Sequence, residues 1–189
     1  MRIAAGKVKG KKLYMGKKNT KIRPTGAKTK EAIFNIIQAR IKGAFVLDLF
    51  CGTGNLGLEA LSQGAKSAVF IDNHSTAYNI TWKNLKSCEY EKAGLVFKKD
   101  VFTWLKEHYK DYQGVFHIIF ADPPYQYTRI REILENELLF NIISEDGILI
   151  LEHAPPKEQI FKELHYWRIW QTKRYGQTMV TFFVPYYIS

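Results

Sequence analysis

Residues 46–57 read Val-Leu-Asp-Leu-Phe-Cys-Gly-Thr-Gly-Asn-Leu-Gly, and this stretch decides the fold of the chain. Its apolar start predicts a strand buried on both faces, and Gly52, Gly54 and Gly57 then follow in a G-x-G-x-x-G pattern. Glycines at these positions permit a tight turn, close approach of a ligand to the backbone, and close packing of the next helix. The stretch therefore predicts the first strand, binding turn and helix of a nucleotide-binding α/β domain.

The rest of the chain alternates between strand and helix patterns on both sides of this turn. The predicted strands are 45–50, 67–71, 95–98, 116–121, 147–152, 165–172 and 178–184. The predicted helices are 28–40, one that ends near residue 61, 75–87, 101–110, 128–139 and one that begins near Pro155. This alternation indicates a doubly wound, mostly parallel sheet with helices on both faces. Because no helix separates the last two strands, we expect them to form an antiparallel pair at one edge.

The composition is that of a globular domain without a membrane segment. Hydrophobic residues make up 46% of the 189 residues, and no apolar run approaches the roughly 18 residues that a membrane span needs. The N-terminus lacks the apolar stretch of a secretory signal, and the two cysteines, Cys51 and Cys88, lack metal-ligand spacing. We therefore expect a cytoplasmic, monomeric protein that binds no metal and no membrane.

The positive charge is concentrated at the N-terminus. The formal net charge is +10, yet residues 31–189 carry 17 basic and 18 acidic side chains, so the excess lies within residues 1–30. Apolar residues and glycines interrupt these lysines, which predicts a short hairpin with a basic outer face rather than a solvated tail. We predict a nucleic-acid-binding extension over residues 1–26 and a catalytic domain over residues 27–189. The predicted RNA contacts are Arg2, Lys7, Lys9, Lys11, Lys12, Arg23 and Thr25.

Acidic residues follow the glycine turn at the ends of the next two strands. Asp72 closes the second strand 18 residues after Gly54, where a carboxylate binds the ribose of a dinucleotide or of S-adenosylmethionine. Asp48, inside the first strand, suits a ligand with an ammonium group better than one with a pyrophosphate. Asp100 follows the third strand, where it could contact an adenine amino group beside Val101 or cap the next helix.

The segment 122–125, Asp-Pro-Pro-Tyr, follows the fourth strand and is the most specific feature of the chain. The two prolines fix the backbone and remove two amide donors, which leaves carbonyl oxygens available as acceptors. Together with the carboxylate of Asp122, these carbonyls can bind the two hydrogens of an exocyclic amine while the ring stacks on Tyr125. The segment predicts a site for methylating the amino group of a planar base.

These motifs resemble a known enzyme family. Phe50-Cys51-Gly52-Thr53-Gly54 together with Asp122-Pro123-Pro124-Tyr125 is similar to class I S-adenosylmethionine-dependent amino-methyltransferases. The stretches 2–6, 23–25, 30–36, 56–62, 64–65, 84–85 and 175–178 extend this resemblance, over almost the full length, to the bacterial 16S rRNA guanine-N2 methyltransferases, the RsmD family.

The resemblance implies a seven-stranded Rossmann-like methyltransferase fold whose substrate is 16S rRNA, within a small-subunit particle or an assembly intermediate. It implies that Asp122, Pro123, Pro124 and Tyr125 bind the target guanine and that residues 23–35 lie near the cofactor and RNA. Asp72 departs from the family, in which many members have Glu. The expected cofactor-binding residues are Asp48, Phe50, Gly52, Thr53, Gly54, Asp72, Asn73, Asp100, Val101 and Asp122.

Two alternatives remain open from the sequence. An Asp-Pro-Pro-Tyr segment serves methylation of adenine N6 in DNA or RNA equally well. A non-catalytic RNA-binding assembly protein could also use the same fold, although the intact glycine turn and acids argue against it. Glu152 and His153 end the fifth strand on the same side as the site and are kept as possible contacts. Cys51 fits a small space-filling residue better than a nucleophile.

Overall fold

The alternating pattern is realised as one seven-stranded sheet in a computed structural model that describes residues 1–16, 26–124, 126–155 and 160–187. The strands are β1 (Phe45–Leu49), β2 (Ser67–Asp72), β3 (Gly94–Lys98), β4 (Phe116–Ala121), β5 (Ile143–His153), β6 (Trp167–Tyr175) and β7 (Thr178–Pro185). Their order across the sheet is β3-β2-β1-β4-β5-β7-β6. Strands β1 to β5 are parallel, and β7 is antiparallel to both β5 and β6. The predicted fold, including its antiparallel C-terminal pair, is confirmed.

Helices connect the parallel strands as the spacing predicted, with one exception. They are α1 (Ala27–Ile41), α2 (Asn55–Ser62), α3 (Ser75–Ser87), α4 (Val101–His108), α5 (Ile130–Leu134) and α6 (Glu137–Ile142), and a 3₁₀ turn (Tyr109–Tyr112) follows α4. The prediction of one helix over 128–139 is wrong. The Asn136 Oδ1 accepts the amides of Leu138 and Leu139 at 3.0 and 3.2 Å, and this side-chain cap starts a second helix.

The predicted helix near Pro155 falls partly on residues 156–159, which lie outside the described residues, and residues 161–163 form a turn. Strand β6 begins two residues later and ends three residues later than predicted. No helix among the described residues has the length and apolar character to cross a bilayer.

Two hydrophobic clusters cover the two faces of the sheet. Val46, Phe70 and Phe120 face the first cluster, which α1 and α2 complete. Leu47, Ile71 and Ile119 face the second, which α4, α5 and α6 complete around the fully buried Trp104. Neighbouring residues of one strand thus point to opposite cores, which explains why the strands read as continuous apolar runs.

The described part of the N-terminal arm (residues 1–16) packs against the first cluster. A bridge between Arg2 and Lys12 closes a short hairpin-like turn, and Ile3 and Leu13 are each only 1% exposed within that cluster. Because the arm shares its hydrophobic core with α1 and α2, the predicted boundary at residue 26 concerns function rather than packing. That division stays a prediction.

Candidate active site

The predicted site residues meet at the carboxyl-terminal edge of the sheet, which is the line along which the parallel strands β1 to β5 end. Along this edge the order of the sheet places Asp100 after β3, Asp72 at the end of β2, the glycine turn after β1 and Asp122 after β4. The direction of chain progression reverses between β1 and β4, which is where doubly wound sheets bind ligands. The glycine turn and Asp122 therefore flank this switch point on neighbouring strands, whose axes lie about 4.8 Å apart.

The backbone of the glycine turn (residues 50–54) has a conformation that side chains disfavour. Gly52 and Gly54 have φ angles of 55° and 74°, and Phe50 has a φ of 61°, which is costly for a residue with a Cβ. A Cβ on Gly57 would lie 2.3 Å from the Phe70 ring, so this glycine allows α2 to pack directly on the sheet. The tight turn and the close helix packing thus agree with the roles predicted for these glycines, and close approach of a ligand to the backbone stays a prediction.

Asp72 braces the turn from the neighbouring strand. Its Oδ2 accepts the Gly52 amide at 3.0 Å, while Oδ1 accepts the His74 amide at 2.9 Å and lies 3.0 Å from His74 Nδ1. The side chain is 11% exposed, so it remains reachable at the mouth of the site. Asn73, which follows it, is exposed. The position fits the predicted ribose contact, which stays a prediction.

Asp48 lies beneath the turn and is only 2% exposed. Its Oδ2 accepts the Gly57 amide at 2.9 Å, which ties the first strand to the start of α2. Burial raises the pKa of Asp48 from its ordinary 3.8 to about 8, against the Gly57 hydrogen bond that lowers it, and the negative charges of Asp122 and Asp72 raise it further. The carboxylates of Asp72 and Asp122 therefore create a negative potential at the switch point, which favours a cationic ligand and disfavours a pyrophosphate, while Asp48 is held largely protonated beneath the turn.

Asp100 is the N-cap of α4, as the capping alternative predicted. Its Oδ1 accepts the amides of Phe102 and Thr103 at 3.0 and 3.3 Å, yet the residue is exposed, so a contact with a ligand remains compatible with the cap. Val101 is buried beneath it. The Arg129 guanidinium lies 4.1 Å from the ring centre of Phe102. A cation and an aromatic ring therefore lie next to the Asp100 cap.

The loop after β4 is partly engaged in its own structure. Asp122 is half-buried, Pro123 is buried and Pro124 is exposed, while Tyr125 lies outside the described residues. The expectation that the proline carbonyls are all available needs correction at Pro124, whose oxygen accepts the Tyr127 amide at 2.7 Å. The Tyr127 ring in turn meets the Phe50 ring edge-on at 5.0 Å and links this loop to the glycine turn.

A small pocket opens beside Asp122. It is lined by Asp122, Pro123, Pro124, Ile130, Glu152, His153 and Ala154. Burial lowers the pKa of His153, and its Nε2 lies 2.8 Å from the Thr181 hydroxyl, which favours a neutral imidazole held in the sheet. The structure thus brings Glu152 and His153 next to the Asp-Pro-Pro loop, as their place at the end of the fifth strand predicted.

The sequence analysis assigned no role to two supporting residues on α3, Thr81 and Asn84, although Asn84 belongs to a stretch that carries the family resemblance. The Thr81 hydroxyl donates to the Gly52 carbonyl at 3.2 Å, and the Asn84 amide donates to the Thr53 carbonyl at 2.9 Å; both residues are fully buried. Asn84 also accepts the Tyr14 amide at 2.7 Å and donates to the Tyr14 carbonyl at 3.0 Å. The same side chain therefore joins the N-terminal arm to the glycine turn. No local pattern marks a polar residue on the buried face of a helix as such a link.

A buried ion pair anchors the arm further along α2. Lys30 and Glu59 are 2% and 0% exposed, and the Lys30 Nζ lies 2.5 Å from Glu59 Oε2. Glu59 also accepts the amides of Ala4 and Ala5, at 2.8 and 2.9 Å. The outward side of the arm carries the predicted contacts Arg2, Lys7, Lys9, Lys11 and Lys12, all exposed, whereas Arg23 and Thr25 lie outside the described residues.

Cys51 has the structural role expected of it. The side chain is 7% exposed and its Sγ lies 3.6 Å from the Thr81 hydroxyl. Burial, followed by the charges of Asp48 and Asp72, raises the pKa of the thiol well above its ordinary value. A thiolate nucleophile is therefore disfavoured at this position.

Strand β7 lies between β5 and β6 and is antiparallel to both, in a sheet that is otherwise parallel and has a glycine turn at its switch point. This is the architecture of the Rossmann-like methyltransferases, and the chain has that fold. Residues 1–184 match the model of the family described as Conserved hypothetical protein 95, and the chain belongs to this family. The resemblance to the RsmD family is thereby confirmed.

Individual relatives agree with this assignment. YlbH of Bacillus subtilis (strain 168), provisionally named as an rRNA methyltransferase, is 37% identical over 81% of this chain and 82% of its own. Ribosomal RNA small subunit methyltransferase D of Haemophilus influenzae is 31% identical over 86% of this chain and 83% of its own.

Solved structures share the fold. Escherichia coli yhhF covers 97% of this chain and 96% of its own with a TM-score of 0.82 and 26% identity. SMU.776, solved in complex with S-adenosylhomocysteine, covers 81% of this chain and 48% of its own with a TM-score of 0.65 and 16% identity, and its likeness concerns the fold alone.

Proposed function

We propose that this protein transfers the methyl group of S-adenosylmethionine to the exocyclic N2 of a guanine in small-subunit ribosomal RNA, which leaves S-adenosylhomocysteine and releases one proton of the amine. The observation that carries the proposal is the placement of the glycine turn and the Asp122 loop on neighbouring strands at the switch point. Membership of a family with a relative named as a small-subunit rRNA methyltransferase supports the choice of RNA.

The residues around the turn fit this cofactor. S-adenosylmethionine, once bound, supplies an electrophilic methyl group on a positively charged sulfur, and its amino acid part carries an ammonium group. The negative potential from Asp72 and Asp122 suits that charge, and Asp72 is accessible for a ribose hydroxyl. Asp100, Val101 and Phe102 offer an acceptor and apolar surface for an adenine at the β3 end of the edge.

Asp122 and the proline loop act on the nucleobase. The carboxylate accepts a hydrogen bond from the exocyclic amine and so holds its lone pair toward the methyl group, and the loop fixes the plane of the ring. Such positioning can supply about 7–11 kcal/mol relative to a bimolecular reaction in solution. A guanine within a duplex must be unstacked to enter the site, which costs a few kcal/mol. Phosphate contacts from the basic arm offset this cost.

The test is to identify the nucleoside that the protein labels. Purified protein is incubated with methyl-labelled S-adenosylmethionine and with unmodified small-subunit particles, naked 16S rRNA or unmethylated DNA, and the products are digested. We expect N2-methylguanosine from the ribosomal substrates. Label in N6-methyladenine would overturn the target base but keep the mechanism, and absence of transfer despite cofactor binding would favour the non-catalytic alternative.

A matched pair of variants assigns any observed activity to the site. Asp122→Ala removes the carboxylate at the switch point, whereas Asp111→Ala removes one from the 3₁₀ turn before β4, at the opposite edge of the sheet. We expect Asp122→Ala to lose methyl transfer and Asp111→Ala to retain it, and wild-type transfer by Asp122→Ala would contradict the assignment.

A further inference from the structure

The C-terminal strand pair forms a second acid-free segment of the chain. After Glu163, the sequence contains Arg168, Lys173 and Arg174 but no Asp or Glu. Residues 31–189 as a whole are close to neutral, so this small cationic excess is local to β6 and β7. Charge of one sign on one element gives that element its own electrostatic footprint.

Strand β6 presents these cations at the outer edge of the sheet. It has a neighbour on one side only, β7, among the described strands. Arg168, Lys173 and Arg174 are all exposed, and none of them forms a salt bridge within the described part of the chain. The guanidinium of Arg168 lies 3.9 Å from the ring centre of Tyr186, and Arg174 Nε donates to the Gly176 carbonyl at 3.0 Å. Two of the cations are therefore held in place on the surface.

Exposed apolar side chains accompany the cations. The described residues include five exposed large hydrophobic side chains, and three of them, Ile169, Trp170 and Tyr187, lie on or beside this strand pair at 45%, 49% and 51% exposure. The ring centres of Trp170 and Phe182 lie 6.1 Å apart in a T-shaped arrangement, which orients the indole. Aromatic rings next to cations are the combination that binds single-stranded nucleic acid, because bases stack while phosphates pair with the charges.

The surface reaches the candidate active site. His153, which lines the pocket beside Asp122, pairs with Met179 of β7, and Met179 pairs with Arg174. Arg174 thus lies two strand spacings, about 10 Å, from His153. Because β6 runs parallel to β5, the cations extend for about 20 Å from Arg174 back to Arg168, with Arg168 and Lys173 on the face of the sheet that bears Val180 and Arg174 on the opposite face.

Protection of an exposed strand edge is the simpler explanation for charges at this position. Edge protection explains Lys173 and the two arginines. It does not explain the exposed Ile169 and Trp170, because exposed apolar side chains would promote the pairing of this strand edge with another chain, which the charges prevent. It also does not require a single sign of charge, since charged side chains of either sign oppose edge pairing.

We propose that β6 is a second RNA-binding surface, which contacts the RNA strand flanking the base held by Asp122. The basic arm and β6 would then bind the substrate at two separate places around the target base. This inference rests on the proposed function for the identity of the RNA, but binding by the surface is measured independently of methyl transfer.

The first experiment neutralises the cations. The triple variant Arg168→Gln, Lys173→Gln, Arg174→Gln is compared with Lys86→Gln, Lys92→Gln, Lys98→Gln, which removes the same charge from exposed positions on or near the β3 edge of the sheet. Affinity for a 16S rRNA fragment is measured by filter binding at several salt concentrations. We expect the β6 variant to lower the salt slope by about two to three, while the control retains the wild-type slope.

The second experiment tests the aromatic contact. Trp170→Ala should weaken RNA binding about fivefold or more without changing the salt slope, and Trp170→Phe should retain most of the affinity because a ring remains for stacking. RNA should quench the tryptophan fluorescence of the wild type, and this quenching should be reduced in Trp170→Phe. Thermal melting and cofactor affinity, which should match the wild type, show that the variants are folded.

The outcomes separate this proposal from the proposed function. Equal salt slopes for the β6 variant and its control would overturn the RNA surface even if the wild type methylates guanosine. Wild-type transfer to another base, with a reduced slope in the β6 variant, would overturn the target and keep the surface. A wild-type dimer that the β6 variant dissociates, with unchanged RNA affinity, would show that the edge pairs with a second copy instead.

Discussion

Asp48, in β1, and Asp122, directly after the neighbouring β4, show how one residue type performs two tasks at the switch point. Asp48 is buried and accepts the Gly57 amide, so it holds the turn in place. Asp122 is half-buried beside a pocket, so it can accept a hydrogen bond from an amine that enters. The difference arises from burial, because desolvation raises the pKa of Asp48 to about 8 and leaves it protonated over most of the neutral range.

Asp122→Ala should lower the rate of methyl transfer by at least about a hundredfold, because an amine held only by the loop loses its orienting acceptor. Cofactor affinity should change by less than about tenfold, since the carboxylate acts on the nucleobase. Single-turnover rates and calorimetric titration of the cofactor measure the two effects separately. Wild-type transfer by this variant would remove Asp122 from the mechanism.

Asp48→Asn should stabilise the protein increasingly as pH rises. The folded protein keeps a proton on Asp48 up to pH about 8, whereas the unfolded chain releases it near the ordinary pKa of 3.8. The folded state therefore binds more protons within this window, and its stability falls with rising pH by up to about 1.4 kcal/mol per unit from this group.

The asparagine retains an acceptor for the Gly57 amide but does not titrate. The difference in unfolding free energy between variant and wild type should grow from pH 5 to pH 8 and level off above that. Urea denaturation at pH 5, 7 and 9 measures this difference. A pH-independent difference would show that Asp48 does not have a raised pKa.

At the scale of the element, helix α2 connects the glycine turn to the N-terminal arm. Its first turn follows Gly54, its inner face lies on Phe70 through Gly57, and its last turn supplies Glu59 to the arm. One eight-residue helix therefore fixes both the cofactor side and the RNA side of the proposed site.

Gly57→Ala should displace α2, because the new methyl group would lie 2.3 Å from the Phe70 ring. Overpacking of this kind costs about 1–3 kcal/mol, and the accompanying shift of the turn should weaken cofactor binding. Gly26→Ala is the matched control, since its Cβ would meet only Thr29 Oγ1 at 3.6 Å and its φ is −55°. Denaturation and cofactor titration should show a larger loss of stability and of cofactor affinity in Gly57→Ala than in Gly26→Ala. Equal effects would mean that the Phe70 ring moves aside without cost.

Lys30→Met should destabilise the protein by about 3–5 kcal/mol, because it leaves the carboxylate of Glu59 buried without its cation. Lys30→Met combined with Glu59→Leu should cost less than the sum of the two single changes. The free energies from chemical denaturation provide the coupling between the two residues. Additive costs would show that the pair does not act as a unit.

On the scale of the whole molecule, two basic surfaces lie around a nearly neutral body and an acidic switch point. The arm carries its lysines on one side of the glycine turn, and β6 carries its cations at the far edge of the sheet. This arrangement suits a cationic cofactor in the acidic cleft and a polyanionic substrate along the outside.

Neutralising Lys7, Lys9, Lys11 and Lys12 together should weaken RNA binding and lower the salt slope by about three to four. Cofactor affinity should stay unchanged, because these side chains are exposed on the arm and are not part of the glycine turn. Filter binding across a salt series and calorimetry measure both quantities. An unchanged slope would reduce the arm to a structural extension of the core.

The sequence alone determined the order of the elements, the glycine turn and the loop after β4. Strand and helix periodicity is local, and parallel strands necessarily bring their carboxyl ends to one edge, so Asp72, Asp100 and Asp122 could be placed together without coordinates. The break between α5 and α6 was missed because the cap at Asn136 competes with an otherwise helical pattern.

Only the tertiary structure decided which polar side chains are buried and what they hold. Lys30 contacts Glu59 across 29 residues, and Asn84 bonds to Tyr14 across 70 residues and to Thr53 across 31. A buried charge or amide is stable only when a distant partner satisfies it, and local spacing contains no information about that partner. The sequence thus placed the chemistry at one edge, and long-range packing decided how the arm and α3 hold it there.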